Sequence, residues 1–323
     1  MGRQVSRTLP VGFSGPVWHP ASMATPTDRG APPAVRSKPA PLDRQERVEL
    51  LLAQTRRRVV PIRRSFVQQG HGHKTRPGPL AKFLTTHDDR GLEAYLLLHA
   101  MAAAAPWNCR LPSDAWVSAL GLADNATPSS ARTAVSKIMG RLEKRKLITR
   151  VRSKRLSDII LLKEDGSGDP YERPLNDRAE DRWLQLPHGY WLDGHYETLH
   201  LPAKVMLLIA LSRPDGFPLP YDRAPAWYGI SSDSAEEGLR ELRATGLLTV
   251  QRNWVKAPRS ETGWTAELLY TLQDSFSTAE RKKASRIRNR ATTVDDDEAR
   301  DQVARVVRFR TGKRRLRRHK DPA

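Results

Sequence analysis

The densest set of hydrogen-bond donors in the chain lies between Thr127 and Leu162, in TPSSARTAVSKIMGRLEKRKLITRVRSKRLSDIILL. Val135, Ile138 and Leu142 recur there at spacings of three and four, with Met139 beside them, so one side of a helix is committed to a core. The opposite side presents Ser129, Arg132, Thr133, Ser136, Lys137, Arg141, Lys144 and Arg145. Hydroxyls and cations at that spacing suit phosphate oxygens and base edges, to which an arginine fork can donate two parallel bonds. Thr127 fits an N-cap and Pro128 the first helical turn, where a missing N–H costs nothing. Arg150, Arg152, Lys154 and Arg155 follow in a basic hairpin, read as strands 148–152 and 158–162 around the tip SKRLS.

Catalytic patterns are missing. The chain has no GxxxxGK[ST], no GxGxxG after a strand, no HExxH and no GxSxG. His71 and His73 in HGH have no cysteine or paired acid nearby, so a glycine-rich loop is the expectation rather than a metal site. The acids from Asp295 to Glu298 stand where a helix N-terminus favours negative charge. We therefore expect no enzyme, no cofactor and no metal.

The charge balance agrees with a polyanionic partner. Among 323 residues there are 55 Lys and Arg against 36 Asp and Glu, a net +19. One cysteine, Cys109, excludes internal disulfides and a cysteine-rich zinc site. No apolar run is long enough to span a bilayer, and no leader-like hydrophobic segment opens the sequence, so a cytoplasmic, nucleoid-associated protein without membrane contact is expected.

Elements must hold the donors in place. Residues 1–42 contain 8 of the 24 prolines and read as a disordered tail. Residues 43–82 begin with an amphipathic stretch, DRQERVELLLAQTRRR, ended by Pro61, and read as a basic helical arm; between residues 43 and 90, 11 cations face 5 acids. A capping box at Thr86 and Asp89 then opens an apolar helix stopped by Pro106, followed by a short helix from Ser113 to Leu120. The Thr127 helix and the basic hairpin complete the unit. A Gly, Asp, Pro and Arg linker runs over 164–182.

The order then repeats. Leu201 to Ser212 is the counterpart of the first apolar helix, a cap at Asp233 or Ser234 opens AEEGLRELRATGLL, and a second hairpin spans Thr249 to Leu272. LGL at 120–122 aligns with YGI at 228–230, and RKLI at 145–148 with TGLL at 245–248. The second helix shows Glu236, Glu237, Arg240, Glu241 and Arg243, a poor face for phosphates, whereas Arg252, Lys256 and Arg259 make its hairpin basic. Trp254 and Trp264, at hairpin spacing, are expected as a cross-strand core pair sooner than as a base-stacking platform. From residue 281 onward 16 cations face 6 acids, with a narrow stripe of Val303, Val306 and Val307 suited to docking or pairing.

SSARTAVSKIMGRLEKRKLI and GISSDSAEEGLRELRATGLL resemble the winged helix-turn-helix superfamily, present twice. LQLPHGYWLDGHYETLHLPAKVMLLIALSRPDGF is similar to helix-turn-helix proteins of actinobacteria. Tandem winged helices are also the layout of plasmid replication initiators of the Rep type. The resemblance covers about residues 83 to 272 and implies a mainly α fold with small β-hairpins (α+β). It gives winged-helix units over 83–165 and, after a linker, within 166–276, with basic termini at 1–42 and 277–323. It implies a partner in double-stranded DNA, with a role in transcriptional regulation or in plasmid replication or maintenance. Base-edge candidates are Arg132, Ser136 and Lys137, flanked by Ser129, Thr133 and Arg141. Phosphate candidates are Arg150, Arg152, Lys154 and Arg155, joined by Arg252, Lys256 and Arg259. A homodimer, and a protein partner for the second unit, are compatible with the same residues. The rival from another class is a protein-binding scaffold with nonspecific nucleic-acid tails.

Overall fold

The structure, a computed structural model, describes residues 42–55, 57–70, 75–124, 126–153, 156–175, 181–219 and 223–286. The expected tail over 1–41, His71 and His73, and everything from residue 287 on (the acids at 295–298 and the valine stripe included) lie outside these. The described chain is mixed α+β with small antiparallel sheets.

The N-terminal segment is α1 (Arg44–Ala53), β1 (Val59–Arg63), β2 (Gln68–Gln69), β3 (Arg76–Pro77) and α2 (Leu80–Thr85). Asp43 caps α1 and exchanges bonds with Glu46, forming a capping box. Val48, Leu51 and Leu52 are buried, as are Val59, Val60 and Ile62. These residues are not a free arm. β1 pairs antiparallel with a strand of the second half, β7 (Trp183–Pro187), from Val59 opposite Pro187 to Arg63 opposite Trp183. Pro61, expected to end the helical stretch, lies instead within β1 opposite Gln185; alternate residues of a two-stranded ribbon turn their nitrogens to the free edge, and a proline fits there.

The first repeat follows as α3 (Asp89–Met101), β4 (Asn108–Cys109), α4 (Ser113–Ala119), α5 (Pro128–Lys144), β5 (Ile148–Ser153) and β6 (Leu156–Leu161). Its sheet has the order β4-β6-β5. Ser153 pairs with Leu156, so the strands run further into the expected tip than the reading allowed; Lys154 and Arg155 at that tip lie outside the described residues. After β7 come α6 (Gly189–Leu192) and α7 (His195–Thr198). The second repeat is α8 (Leu201–Leu211), β8 (Phe217–Pro218), α9 (Ala224–Tyr228), α10 (Ser232–Ala244), β9 (Leu248–Lys256) and β10 (Trp264–Leu272), with sheet order β8-β10-β9. Helix, strand, helix, helix and hairpin therefore recur, with the same strand order in both sheets. Last is α11 (Thr278–Arg286), whose Arg281 is buried and donates to the carbonyl of Phe276. The start of the expected C-terminal tail is thus docked on the core.

α3 and α8 are apolar on nearly every side, as helices surrounded by protein must be. The exceptions meet each other. Lys204 of α8, 3 % exposed, lies 2.9 Å from both Asp89 and Glu93 of α3, and Tyr190 of α6 donates to Glu93. A second buried group joins β1 to the expected linker: the Arg63 guanidinium bonds Glu164 at 2.8 Å and Asp181 at 2.9 Å. Glu164 and Tyr171 are buried, so residues 163–171 are packed structure despite their linker-like composition. Burial pushes both Glu93 and Glu164 up, against the pull of the partner cations.

Candidate nucleic-acid interface

α5 forms where its sequence signals placed it. The Thr127 hydroxyl accepts from the Ser130 N–H, Pro128 occupies the first turn, and Ala131, Val135, Ile138, Met139 and Leu142 are buried. In α10 the cap is Ser231, which accepts from Ser234 N–H, so this helix opens two residues before the expected Asp233. Its buried residues are Ala235, Gly238, Leu239 and Leu242, each 100 positions after Val135, Ile138, Met139 and Leu142. Both helices end on a left-handed residue, Lys146 at φ 59° and Gly246 at φ 77°. The alignment of RKLI with TGLL is therefore a structural one.

The outward face of α5 carries Ser129, Arg132, Thr133, Ser136, Lys137 and Arg141, all exposed. Their hydrogen bonds divide them. Arg132 forks onto Asp114 of α4, Nε to Oδ1 at 2.6 Å and Nη2 to Oδ2 at 2.9 Å. Both side chains stay more than half exposed, 54 % and 67 %, so water screens the pair and its exchange for another anion costs little. The guanidinium holds the Asp114 carboxyl below the usual carboxylate range. The Thr133 hydroxyl donates back to the Ser129 carbonyl at 3.0 Å. Among the described residues Lys137 has no ion-pair partner.

Arg141 and Arg150 are engaged otherwise. Asp88, which the sequence reading passed over in favour of Thr86, is the N-cap of α3 and accepts from Gly91 N–H at 3.1 Å. Its carboxylate is gripped by both Arg141 and Arg145. Burial raises its pKa, but the two guanidinium groups outweigh this and leave Asp88 below its ordinary value. Arg150 holds Glu143 through Nη2 at 2.9 Å, Nε at 3.2 Å and its own backbone N–H at 3.2 Å, and reaches the Ser136 carbonyl. The fork of Arg141 thus ties α5 to α3, the first helix of its repeat, and that of Arg150 ties α5 to the hairpin. The backbone of Arg152 lies in β5 opposite Ser157.

On α10, Glu236, Glu237, Arg240 and Arg243 are exposed. Glu241 accepts from the backbone N–H of His200, the N-cap of α8, at 2.8 Å. Its hairpin is longer than that of the first repeat, nine residues per strand against six. Arg252, Lys256 and Arg259 are exposed and, among the described residues, have no acid partner. The tryptophans are not a core pair: Trp254 is 59 % and Trp264 48 % exposed. Trp254 stands opposite Ala266 and Trp264 opposite Lys256, so the rings are diagonal neighbours on one face.

Among the described residues, no group of three or more His, Cys, Asp or Glu side chains is placed to hold a metal ion. Nor is any described helix long and apolar enough to cross a membrane. No protein-family model, no curated protein and no solved structure matches the chain.

Proposed function

We propose that this chain binds double-stranded DNA without catalysing a reaction, through two winged helices in tandem. The observation that carries the proposal is the solvent face of α5. Ser129, Arg132, Ser136 and Lys137 project together from a helix whose other side is fixed in the core, and among the described residues the one acid touching them is the exposed Asp114. The repeated order of helix, strand, helix, helix and hairpin supports the winged-helix reading. In it α5 enters the major groove, while Arg152 and the Lys154–Arg155 tip follow the backbone. Arg141 and Arg150, engaged with Asp88 and Glu143, serve as supports of the reading helix rather than as contacts.

The biological role that fits is transcriptional regulation, with replication or maintenance of a plasmid as the second use of the same activity. A protein-binding role for the second repeat is favoured by one feature, the exposed Glu236 and Glu237 on α10, where Ser136 and Lys137 stand on α5.

Selection of bound sites from random duplexes tests the assignment. Arg132→Ala is expected to relax preference at one base position by about 1–3 kcal/mol. Lys137→Ala weakens binding by a similar amount, and Ser136→Glu with Lys137→Glu abolishes sequence selection. Recovery of the same site by that double variant would sink the role of α5.

A further inference from the structure

One face of the second hairpin changes character along its length. Leu248 and Leu272, then Val250 and Tyr270, pair across the strands at the base, where Leu248, Leu272 and Tyr270 are buried. The same face continues outward with Arg252 opposite Leu268, Trp254 opposite Ala266, and Lys256 opposite Trp264. Two indoles and two cations thus alternate on a surface that a core would otherwise have claimed. Glu267 lies on the other face, opposite Asn253, and Glu261 belongs to the turn, so this face carries no acid.

The exposed rings are costly to leave in water, and their neighbours select what can cover them. A large side chain opposite Trp254 would fill the space beside its ring, but Ala266 leaves it open. Diagonal positions on an antiparallel pair lie about 7–8 Å apart, which leaves each indole free to take a separate flat partner. Cations beside each ring ask for an anion repeated at the same interval as the flat groups. An unpaired polynucleotide strand supplies both: every base has a π-face, and every base brings a phosphate. The extra three residues per strand carry these positions roughly 10 Å farther out than the first hairpin reaches, beyond the bulk of the repeat.

We propose that Trp254 and Trp264 form a stacking platform for two unpaired bases of single-stranded DNA, with Arg252 and Lys256 on the flanking phosphates. The choice of DNA over RNA rests on the duplex-reading role assigned to α5, since a melted strand beside a bound duplex is the strand within reach. The platform itself does not depend on that role.

The test uses the full chain at one fixed salt concentration, with fluorescein-labelled oligo(dT), oligo(U), a labelled duplex, and vesicles containing phosphatidylglycerol. Trp254→Ala with Trp264→Ala is expected to raise the Kd for oligo(dT) at least about 30-fold, at 1–3 kcal/mol per stacked base. Phenylalanine at both positions restores most of that loss, and duplex affinity changes by less than about threefold. Arg252→Ala with Lys256→Ala lowers the salt slope for oligo(dT) by about 1.4. Thermal melting verifies that each variant is folded. The proposal is overturned if wild-type protein does not bind oligo(dT), or if the alanine pair leaves that binding intact. It fails equally if duplex is weakened to the same extent, if vesicle binding is what disappears, or if oligo(U) is held more tightly than oligo(dT). Lys137→Ala, measured on the same probes, acts on duplex alone, so the failure of either proposal is read separately.

Discussion

Helices α5 and α10 occupy the same place in two copies of one topology, and the aligned residues Arg141 and Glu241 show how they diverged. Arg141 of the first grips Asp88, the cap of α3; Glu241 of the second accepts from the backbone of His200, the cap of α8. Opposite charges do the same work of fastening the third helix of the repeat to the start of its first. The requirement is a polar tie at that point, not a cation. An arginine on the face of a candidate reading helix is therefore no guide to what it reads until its own partners are known. In the first repeat five arginines, 110, 132, 141, 145 and 150, already hold carboxylates; in the second, Arg252, Lys256 and Arg259 of the hairpin hold none among the described residues.

The two ties differ in depth, and that gives the largest expected contrast. Asp88 is buried and satisfies a helix N-terminus and two guanidinium groups, whereas Glu241 meets an exposed imidazole and one backbone N–H. Removing a buried acid strands its partners, and the half-exposed Arg141 reduces the penalty for that member. Asp88→Ala is expected to cost about 3 kcal/mol in urea unfolding, and Glu241→Ala about 1 kcal/mol. Equal losses would show that the ties are alike and that burial does not separate them.

A buried imidazole gives the second contrast. His99 lies in α3 between the rings of Tyr95 and Tyr171, and counting from the caps at Asp88 and His200 its counterpart in α8 is Leu211. Burial, reinforced by Arg63, lowers the His99 pKa to about 3. The unfolded chain then binds more protons than the folded one between that value and the ordinary 6.5, so stability rises with pH in this window and falls on acidification. The slope is at most about 1.4 kcal/mol per pH unit, or roughly 2 kcal/mol by pH 5. Unfolding midpoints compared at pH 7 and pH 5 report it. His99→Leu should flatten the dependence; the buried His188, lowered to about 4, retains its own share. An unchanged slope in His99→Leu would remove the first repeat as the acid-sensitive half.

Much of this architecture was legible in the chain. Thr127 and Pro128 marked the start of α5, and the correspondence of RKLI with TGLL placed the two hairpins, because capping and left-handed termini act over a few neighbouring residues. What was hidden depends on distant contacts. Asp88 lies 53 residues from Arg141, so nothing local reveals that the arginine is spoken for. Residues 43–82 read as a basic arm because their arginines dominate the composition, yet Val59, Val60 and Ile62 among them are packed in the core. Glu164 sits in a stretch of glycines, aspartates and proline, and only the buried Arg63 makes it structural. The tryptophans were misjudged for a related reason: period-2 pairing placed them on one face but carries no information about where along a hairpin the core ends.

Two glycines bring the comparison down to single methyl groups. Gly238 of α10 faces α8, and a Cβ built there would lie 2.5 Å from the Pro202 carbonyl oxygen and 2.6 Å from Met206. The aligned residue in α5 is Ile138, so the first repeat keeps a side chain where the second lets two helices touch by backbone. Gly140 of α5 instead meets only an Arg150 nitrogen, at 3.8 Å. Alanine is the better helix former by about 1 kcal/mol, so its effect should reverse sign between the two sites. Gly140→Ala is expected to stabilise by up to about 1 kcal/mol. Gly238→Ala is expected to destabilise by about 1–2 kcal/mol, because a backbone oxygen must move to admit the methyl group. A pair of urea titrations decides it. Stabilisation in both variants would mean that α10 is free to shift away from α8, and the close approach of those helices would then be incidental to the second repeat.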